Sequence, residues 1–243
     1  MSRSLGLFLL FLAVLAALGV VGAWYLGPSV LSLAFDEERR NSPYYFLSLV
    51  AEQDASDGSA SSAFRAALAQ RVTTDGGALL WRGATIQVAQ GRIEDEWQHV
   101  QLFEFARGGD FVEMLTSTGY REILDTRTEL NRLVLGTGDA PDGIVAQGAS
   151  VFSLFSVGEG DSLEFAQGVR ELASNLGEFN GKLIWDAPVE DLEGDVPWNR
   201  ILLFEFASVP AAERWLRDPA TVTQRTLIQR GSSGVVTLIL QSS

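Results

Sequence analysis

The sequence lacks cysteine altogether and has a single histidine, His99, among its 243 residues. Without cysteine the chain cannot form disulfides, thiolate nucleophiles, iron–sulfur clusters or cysteine-ligated zinc sites. With one imidazole it cannot build a metal site from two histidines of the same chain. The redox compartment stays open, because a cysteine-free protein survives in either environment.

Basic residues are also scarce. Lys and Arg total 18 against 31 Asp and Glu, which gives a formal net charge of −13. Arg3 is the only charged residue before Asp36, so the rest of the chain carries 17 basic and 31 acidic side chains. Such a surface repels phosphate backbones and anionic lipid headgroups, so nucleic-acid binding and polybasic membrane attachment are disfavoured. The simplest role of the acidity is solubility.

A long apolar run lies near the N terminus. Residues Leu5 to Leu26 carry no charge, and as a helix they would span roughly 33 Å, enough to cross a bilayer. Trp24 and Tyr25 end the run, where amphipathic rings favour the interface. The run predicts a transmembrane anchor over residues 1–26, with the lipid bilayer as its partner. A cleaved signal peptide is the alternative, because 21–23 and 32–34 resemble cleavage sites.

The predicted location follows from the layout around this run. A short N-terminal tail ahead of a long acidic body is typical of a signal anchor, so we predict a single-pass inner-membrane protein with an extracytoplasmic body. The basic residues on the two sides, Arg3 against Arg39 and Arg40, nearly balance.

An internal repeat dominates the remainder of the chain. The ten residues from Trp97 to Ala106 (WQHVQLFEFA) return without a gap from Trp198 to Ala207 (WNRILLFEFA), 101 residues later. A match of this length at fixed spacing predicts a tandem duplication. We assign a linker to 27–43, a first repeat to 44–138, an inter-repeat linker to 139–148 and a second repeat to 149–243.

Both repeats show the same order of predicted elements. In the first repeat we predict strands at 44–52, 78–89, 97–106 and 132–136, with helices at 63–72 and 110–130. In the second we predict strands at 150–157, 182–189, 198–207 and 234–241, with helices at 161–176 and at 210–229, the latter interrupted near Pro219. The order βαββαβ is the ferredoxin-like unit, and right-handed crossovers place its two helices on one face of the sheet.

Alternation along the repeated strand predicts how the repeats meet. One face carries Gln101, Phe103 and Phe105, and the other carries Val100, Leu102 and Glu104. Both faces are largely apolar, but helices can cover only one of them. We therefore predict that the two sheets pack against each other as a barrel within one chain.

The chain resembles the dimeric α+β barrel superfamily, and within that superfamily it is most similar to a small uncharacterised family. The resemblance rests on the Phe-Glu-Phe-Ala strand after a tryptophan, the helix that follows, and a closing arginine (Arg127 and Arg230); it covers about four-fifths of the chain. The superfamily includes muconolactone isomerases, antibiotic-biosynthesis monooxygenases, haem-degrading enzymes and chlorite dismutase. It implies a barrel of two sheets, usually from two chains, whereas here both lie in one chain.

Glu104 and its counterpart Glu205 are the first candidates for catalysis. If the phenylalanines pack on the helices, both carboxylates face the space between the sheets. An apolar cavity raises the pKa of a carboxyl group, which suits a proton shuttle. The alternative is a partly buried salt bridge with Arg127, Arg230, Arg82 or Lys182.

His99 is the third catalytic candidate, as an acid or base that assists a glutamate; Arg200 is its counterpart. Haem-binding relatives use a histidine, but their ligand position is not matched here, so we predict no cofactor and no metal. The alternative for His99 is a structural imidazole with a satisfied hydrogen bond.

Two symmetric tryptophan pairs are candidates for binding a ligand: Trp81 with Trp97, and Trp185 with Trp198. Arg127 and Arg230 complete this candidate set. The alternative for the tryptophans is packing in the core and at the barrel edge.

These residues leave two functions open. The first is a membrane-tethered α+β barrel that binds a small apolar ligand or a membrane protein partner as an accessory module. The second is a cofactor-independent enzyme, resembling a monooxygenase or isomerase, that acts on a small aromatic or quinone-like substrate.

Overall fold

The computed structural model describes residues 28–52, 59–91, 97–125, 130–144, 148–158, 160–193 and 197–242. It begins with two short helices, α1 (Pro28–Phe35) and α2 (Glu37–Asn41), where the sequence predicts a linker. Asp36 caps α2, because its carboxylate accepts hydrogen bonds from the amides of Glu38 and Arg39 at 3.0 and 3.1 Å. The segment predicted as a linker is thus helical, and its Val30 and Leu33 pack in a buried cluster with Tyr44 and Phe111 of the first half.

The membrane-anchor prediction needs correction. Across the described ranges, no helix has the length and apolar character needed to cross a membrane. The run predicted as the anchor, Leu5 to Leu26, lies outside these ranges. The single-pass, extracytoplasmic location predicted from the sequence is therefore not supported.

The first half of the body contains four strands and three helices. They are β1 (Tyr44–Glu52), α3 (Ser59–Thr74), β2 (Gly77–Gln90), β3 (His99–Phe105), α4 (Gly108–Thr116), α5 (Thr118–Asp125) and β4 (Leu130–Thr137). The single helix predicted over 110–130 is thus two helices, which break at Ser117. The Ser117 hydroxyl accepts a hydrogen bond from the backbone amide of Tyr120 at 3.1 Å, as the serine at a helix N-cap does.

The second half follows the same order with two additions, a 3-10 turn and an extra strand. Its elements are β5 (Ala149–Val157), α6 (Ser162–Ala173), a 3-10 turn (Leu176–Phe179), β6 (Gly181–Pro188), β7 (Glu190–Glu193), β8 (Arg200–Phe206), α7 (Val209–Arg217), α8 (Pro219–Arg230) and β9 (Ser232–Ser242). The helix predicted over 210–229 breaks at Asp218, which caps α8 by accepting the Thr221 amide at 3.0 Å. The strand β7 was not predicted. The duplication itself stays a prediction.

The described strands form one sheet with the order β6-β8-β5-β9-β2-β3-β1-β4-β7. Each pairing is antiparallel. The halves join twice: β9 pairs with β2, and β7 pairs with β4. The fold is therefore a ferredoxin-like α+β barrel with eight described helices.

Three buried clusters show how the sheet is covered. One packs the first half against its helices and includes Phe103 and Phe105. A second does the same in the second half with Phe204 and Phe206. The third, which we call the inner cluster, joins the opposite faces of both halves, and none of its buried members is more than 9% exposed. It includes Leu47, Leu49, Val100, Leu102, Leu133 and Leu135 from the first half and Phe152, Leu154, Ile201, Leu203, Leu238 and Leu240 from the second. The phenylalanine face packs on the helices, as predicted.

Candidate functional site

All four candidate tryptophans belong to the inner cluster. Two are held by their indole N–H groups, because Trp81 donates to the Ser242 hydroxyl and Trp185 to the backbone oxygen of Asp139, both at 3.0 Å. The indole nitrogen of Trp97 is buried and has no hydrogen-bond partner. The structure thus brings these residues together as a packed aromatic core.

Glu104 lies at one end of this core, beside Tyr45. The Tyr45 hydroxyl donates a hydrogen bond to Glu104 Oε1 at 3.2 Å. The two residues face each other because β1 and β3 pair in register at this point. The Tyr45 ring also packs edge-on against Trp185 of the other half, with centroids 6.4 Å apart and an interplanar angle of 74°. We call these three residues the Tyr45–Glu104 site.

The chemistry of this site depends on a half-buried carboxylate and a protonated phenol. Burial raises the pKa of Tyr45 above its ordinary value, and the nearby Glu104 carboxylate raises it further. The phenol therefore remains a hydrogen-bond donor at neutral pH. Within the described ranges no Arg or Lys forms an ion pair with Glu104, and Tyr45 is the only donor to its carboxylate. The described candidates Arg82, Lys182 and Arg230 thus form no ion pair with Glu104, whereas Arg127 lies outside the described residues.

Glu205 occupies the corresponding position in the second half but has different neighbours. Its partners in register are Ser150 and Lys182, so a buried serine stands where the first half has Tyr45. The Lys182 ammonium donates to the backbone oxygen of Asp142 at 2.9 Å. The two glutamates therefore differ in their register partners, because Glu104 lies opposite a tyrosine and Glu205 opposite a serine.

His99 is separated from the Tyr45–Glu104 site. It shares the face of β3 that carries Phe103 and Phe105, whereas Glu104 shares the face of Val100 and Leu102. Five positions along a strand correspond to about 17 Å. The structure therefore does not bring His99 and Glu104 together, and a catalytic role for His99 stays a prediction. Burial lowers the pKa of His99, and the positive charge of Arg65 lowers it further while Glu52 opposes this.

The arginine candidates also lie away from this site. Arg230 is exposed at the end of α8, in the outer helical layer. Arg127 lies outside the described residues. Arg200, the counterpart of His99, forms an ion pair with Asp186 at 2.6 Å. Burial raises the pKa of the Asp186 carboxyl, although Arg200 opposes this shift.

A metal site is not apparent in the described part of the chain, where no group of three His, Asp or Glu side chains could hold an ion. The residue that sequence analysis missed is Tyr45. Its signal was available, because alternation along the predicted first strand places it on the same face as Leu47 and Leu49. The sequence did not predict the register of β1 against β3, which places Tyr45 opposite Glu104.

Comparison with solved structures finds related folds. The chain is similar to an anthrone oxidase-like protein, with a TM-score of 0.62 at 13% identity, over 84% of this chain and 93% of that one. It is also similar to a candidate monooxygenase from Fusobacterium nucleatum, with a TM-score of 0.51 at 12% identity, over 82% and 92% of the two chains. No model of a known protein family matches the chain, and no curated protein sequence does. At these identities the likeness shows the fold alone: the structural neighbours are monooxygenase-like proteins with a ferredoxin-like, dimeric α+β barrel fold.

Proposed function

We propose that the protein is a binding module for a small hydroxyaromatic ligand, which it takes up at the Tyr45–Glu104 site. The observation that carries this proposal is the half-buried Glu104 carboxylate, held by one hydrogen bond from Tyr45 and lying beside the aromatic contact of Tyr45 with Trp185. A carboxylate accepts a hydroxyl hydrogen bond strongly in a partly desolvated place. Aromatic rings beside it favour a flat apolar ligand.

The packed inner cluster favours binding at the end of the barrel over binding in its middle. The four tryptophans and the surrounding aliphatic residues are all buried there, and protein interiors of this kind are close-packed. A ligand at the Tyr45–Glu104 site would contact Tyr45 and Trp185 without displacing the middle of the core.

The test compares 2-naphthol with naphthalene, which lacks the hydroxyl group. Binding is measured by quenching of tryptophan fluorescence. One hydrogen bond to a charged group contributes about 1.5–3 kcal/mol, so 2-naphthol should bind at least ~10-fold more tightly than naphthalene. The Glu104→Gln variant should lose most of that preference.

Glu205→Gln serves as the matched control, because Glu205 lies at the corresponding position without the tyrosine. It should keep the preference for 2-naphthol. Equal affinity of the native protein for 2-naphthol and naphthalene would refute the proposal. Equal losses in the two glutamine variants would also refute it.

A second candidate function is cofactor-independent oxidation or isomerisation, with Glu104 as the base. The specific observation in its favour is the carboxylate itself, which could accept the proton of a bound hydroxyl group. One structural neighbour is described as anthrone oxidase-like, and the enol form of anthrone is a hydroxyarene. Incubation with anthrone and dioxygen tests this candidate: formation of anthraquinone that is lost in Glu104→Gln supports it, and binding without turnover excludes it.

A further inference from the structure

The two junctions between the halves of the barrel differ in how completely they are closed. On one side, β9 pairs with β2 through six residue pairs, from Gly83 with Ser242 to Gln90 with Thr237, with two register shifts along the ladder. On the other side, the only strand of the second half that pairs with β4 in the described sheet is the short β7, through three residue pairs. In the described sheet β6 stands at the end of the strand order. The side between β4 and β6 is therefore incompletely paired.

Residues 138–144, which we call the flap, lie along β6 at this junction. The Asp142 amide donates to the Ile184 backbone oxygen at 2.7 Å. The Lys182 ammonium donates to the Asp142 backbone oxygen at 2.9 Å, and the Trp185 indole to that of Asp139 at 3.0 Å. The flap is thus held to β6 by three hydrogen bonds and not by a strand ladder.

The flap adjoins the Tyr45–Glu104 site. It begins directly after Thr137, the β4 residue paired with Tyr45, and it holds the indole of Trp185, which contacts Tyr45. Ile144 packs against the inner cluster and is only partly buried. Moving the flap would therefore break the hydrogen bond that holds the edge of the Trp185 indole next to the site.

The flap is also built to move at small energetic cost. Residues 138–140 and 142–143 are themselves exposed, so the apolar contacts that opening would disturb are confined to Ile144 and the Trp185 indole. Gly143 has a φ of +79°, which other residues rarely adopt. Gly138 has no atom within 4 Å of where a side chain would begin, so the turn at each end is unobstructed.

We infer that the flap is the entrance through which the ligand reaches the Tyr45–Glu104 site, opening by release of its three hydrogen bonds to β6. This inference rests on the proposed function for the identity of the ligand. The movement itself does not depend on that identity and can be measured in the free protein.

The first test is hydrogen exchange in the free protein. If the flap opens, the Asp142 amide should exchange at least ~100-fold faster than the paired amides of β9 opposite β2, because opening the flap breaks few contacts. Equal protection at the two junctions would overturn the inference, whatever the protein binds.

The second test closes the flap covalently. Because the chain has no cysteine, an Asp142→Cys/Lys182→Cys variant carries only the two introduced thiols. Lys182 already reaches Asp142 with its side chain, so a short bifunctional methanethiosulfonate can bridge the two positions and dithiothreitol can release them.

Bridging should slow 2-naphthol association at least ~10-fold in stopped-flow fluorescence, and dithiothreitol should restore it. The control is each single-cysteine variant treated with the same reagent. Unchanged association in the bridged protein would overturn the inference. If the unbridged protein fails to bind 2-naphthol, the proposed function fails, and hydrogen exchange alone then decides whether the flap opens.

Discussion

Replacing Glu193 by glutamine should destabilise the protein more than replacing its partner Arg132 by methionine. The Arg132 guanidinium is buried on the helix side of β4, with its side chain only 2% exposed. It forms an ion pair with Glu193 of β7 at 3.2 Å and a hydrogen bond with the Tyr120 hydroxyl. It also stacks over the rings of Phe64 and Tyr120, with distances of 5.1 and 5.5 Å. Its Nε and Nη1 atoms are buried without partners.

The two substitutions leave different groups behind. Removing one partner of a buried ion pair costs about 3–5 kcal/mol, because the other charge stays uncompensated. Glu193 is 27% exposed, so we expect a smaller loss of about 2–3 kcal/mol for Glu193→Gln. Methionine at position 132 removes the charge and both unpartnered donors, each of which costs about 1–3 kcal/mol. This offsets the lost cation–π contacts, worth about 2 kcal/mol.

The second half shows that an apolar residue fits at this place in the fold. Val235 pairs with Phe155 of β5 as Arg132 pairs with Val50 of β1. We therefore expect Arg132→Met to lie within about 1 kcal/mol of the native protein. This value is smaller than the loss expected for Glu193→Gln.

Urea denaturation followed by circular dichroism measures both free energies of unfolding. Glu213→Gln is the control, because its ion pair with Arg217 is long at 3.5 Å and largely exposed, and such pairs contribute little. A larger loss for Arg132→Met than for Glu193→Gln would refute the reasoning. It would mean that the guanidinium stabilises the fold by packing and not through its charge partner.

Three further predictions follow from the same structure. His99 is the only histidine in the sequence, so NMR titration reports its pKa from a single imidazole. Because its pKa is lowered in the folded protein, neutral His99 contributes to the free energy of unfolding above pH ~6.5. That contribution is lost as pH falls through the folded pKa. Arg65→Gln should raise that pKa, and an unchanged value would contradict the assigned cause. Burial raises the pKa of Tyr44 and Tyr45, so stability should fall as pH rises above ~10. The phenolate absorbance of these two residues should appear together with unfolding, and their ionisation before unfolding would contradict this. Gly136→Ala should destabilise by about 1–3 kcal/mol in thermal unfolding, because the added carbon would meet the Tyr44 hydroxyl and lie 2.7 Å from Leu192; Gly138→Ala, in open space, is the control and should change little.

The layered arrangement was predictable because it depends on local patterns. Alternation along the repeated strand separates Phe103 and Phe105 from Val100 and Leu102, and the two sets pack in different clusters. The same alternation separates His99 from Glu104, so their joint role could have been excluded from the sequence. The sequence pattern alone was sufficient to predict which face of a strand a side chain occupies, wherever one residue type repeats with the period of a strand.

The features that sequence missed depend on contacts between distant segments. The Tyr45–Glu104 hydrogen bond needs the register of β1 against β3, and β7 exists because it pairs with β4 of the other half. Helices α1 and α2 are short and gain their stability by packing on α4. Their contact requires Gly108, where an added carbon would lie 2.6 Å from the Arg39 carbonyl oxygen. No local signal encodes such partners.

The pairing of β9 with β2 has a consequence for biosynthesis. Strand β2 ends at Gln90, but the β9 residues that pair with it begin at Thr237. A ribosome adds Thr237 about 7–30 s after Gln90 at ordinary elongation rates. During that interval the emerging first half would present an unpaired strand and an uncovered apolar sheet to the cell. A nascent chain stalled before residue 237 should therefore recruit chaperones, and one released after residue 242 should not.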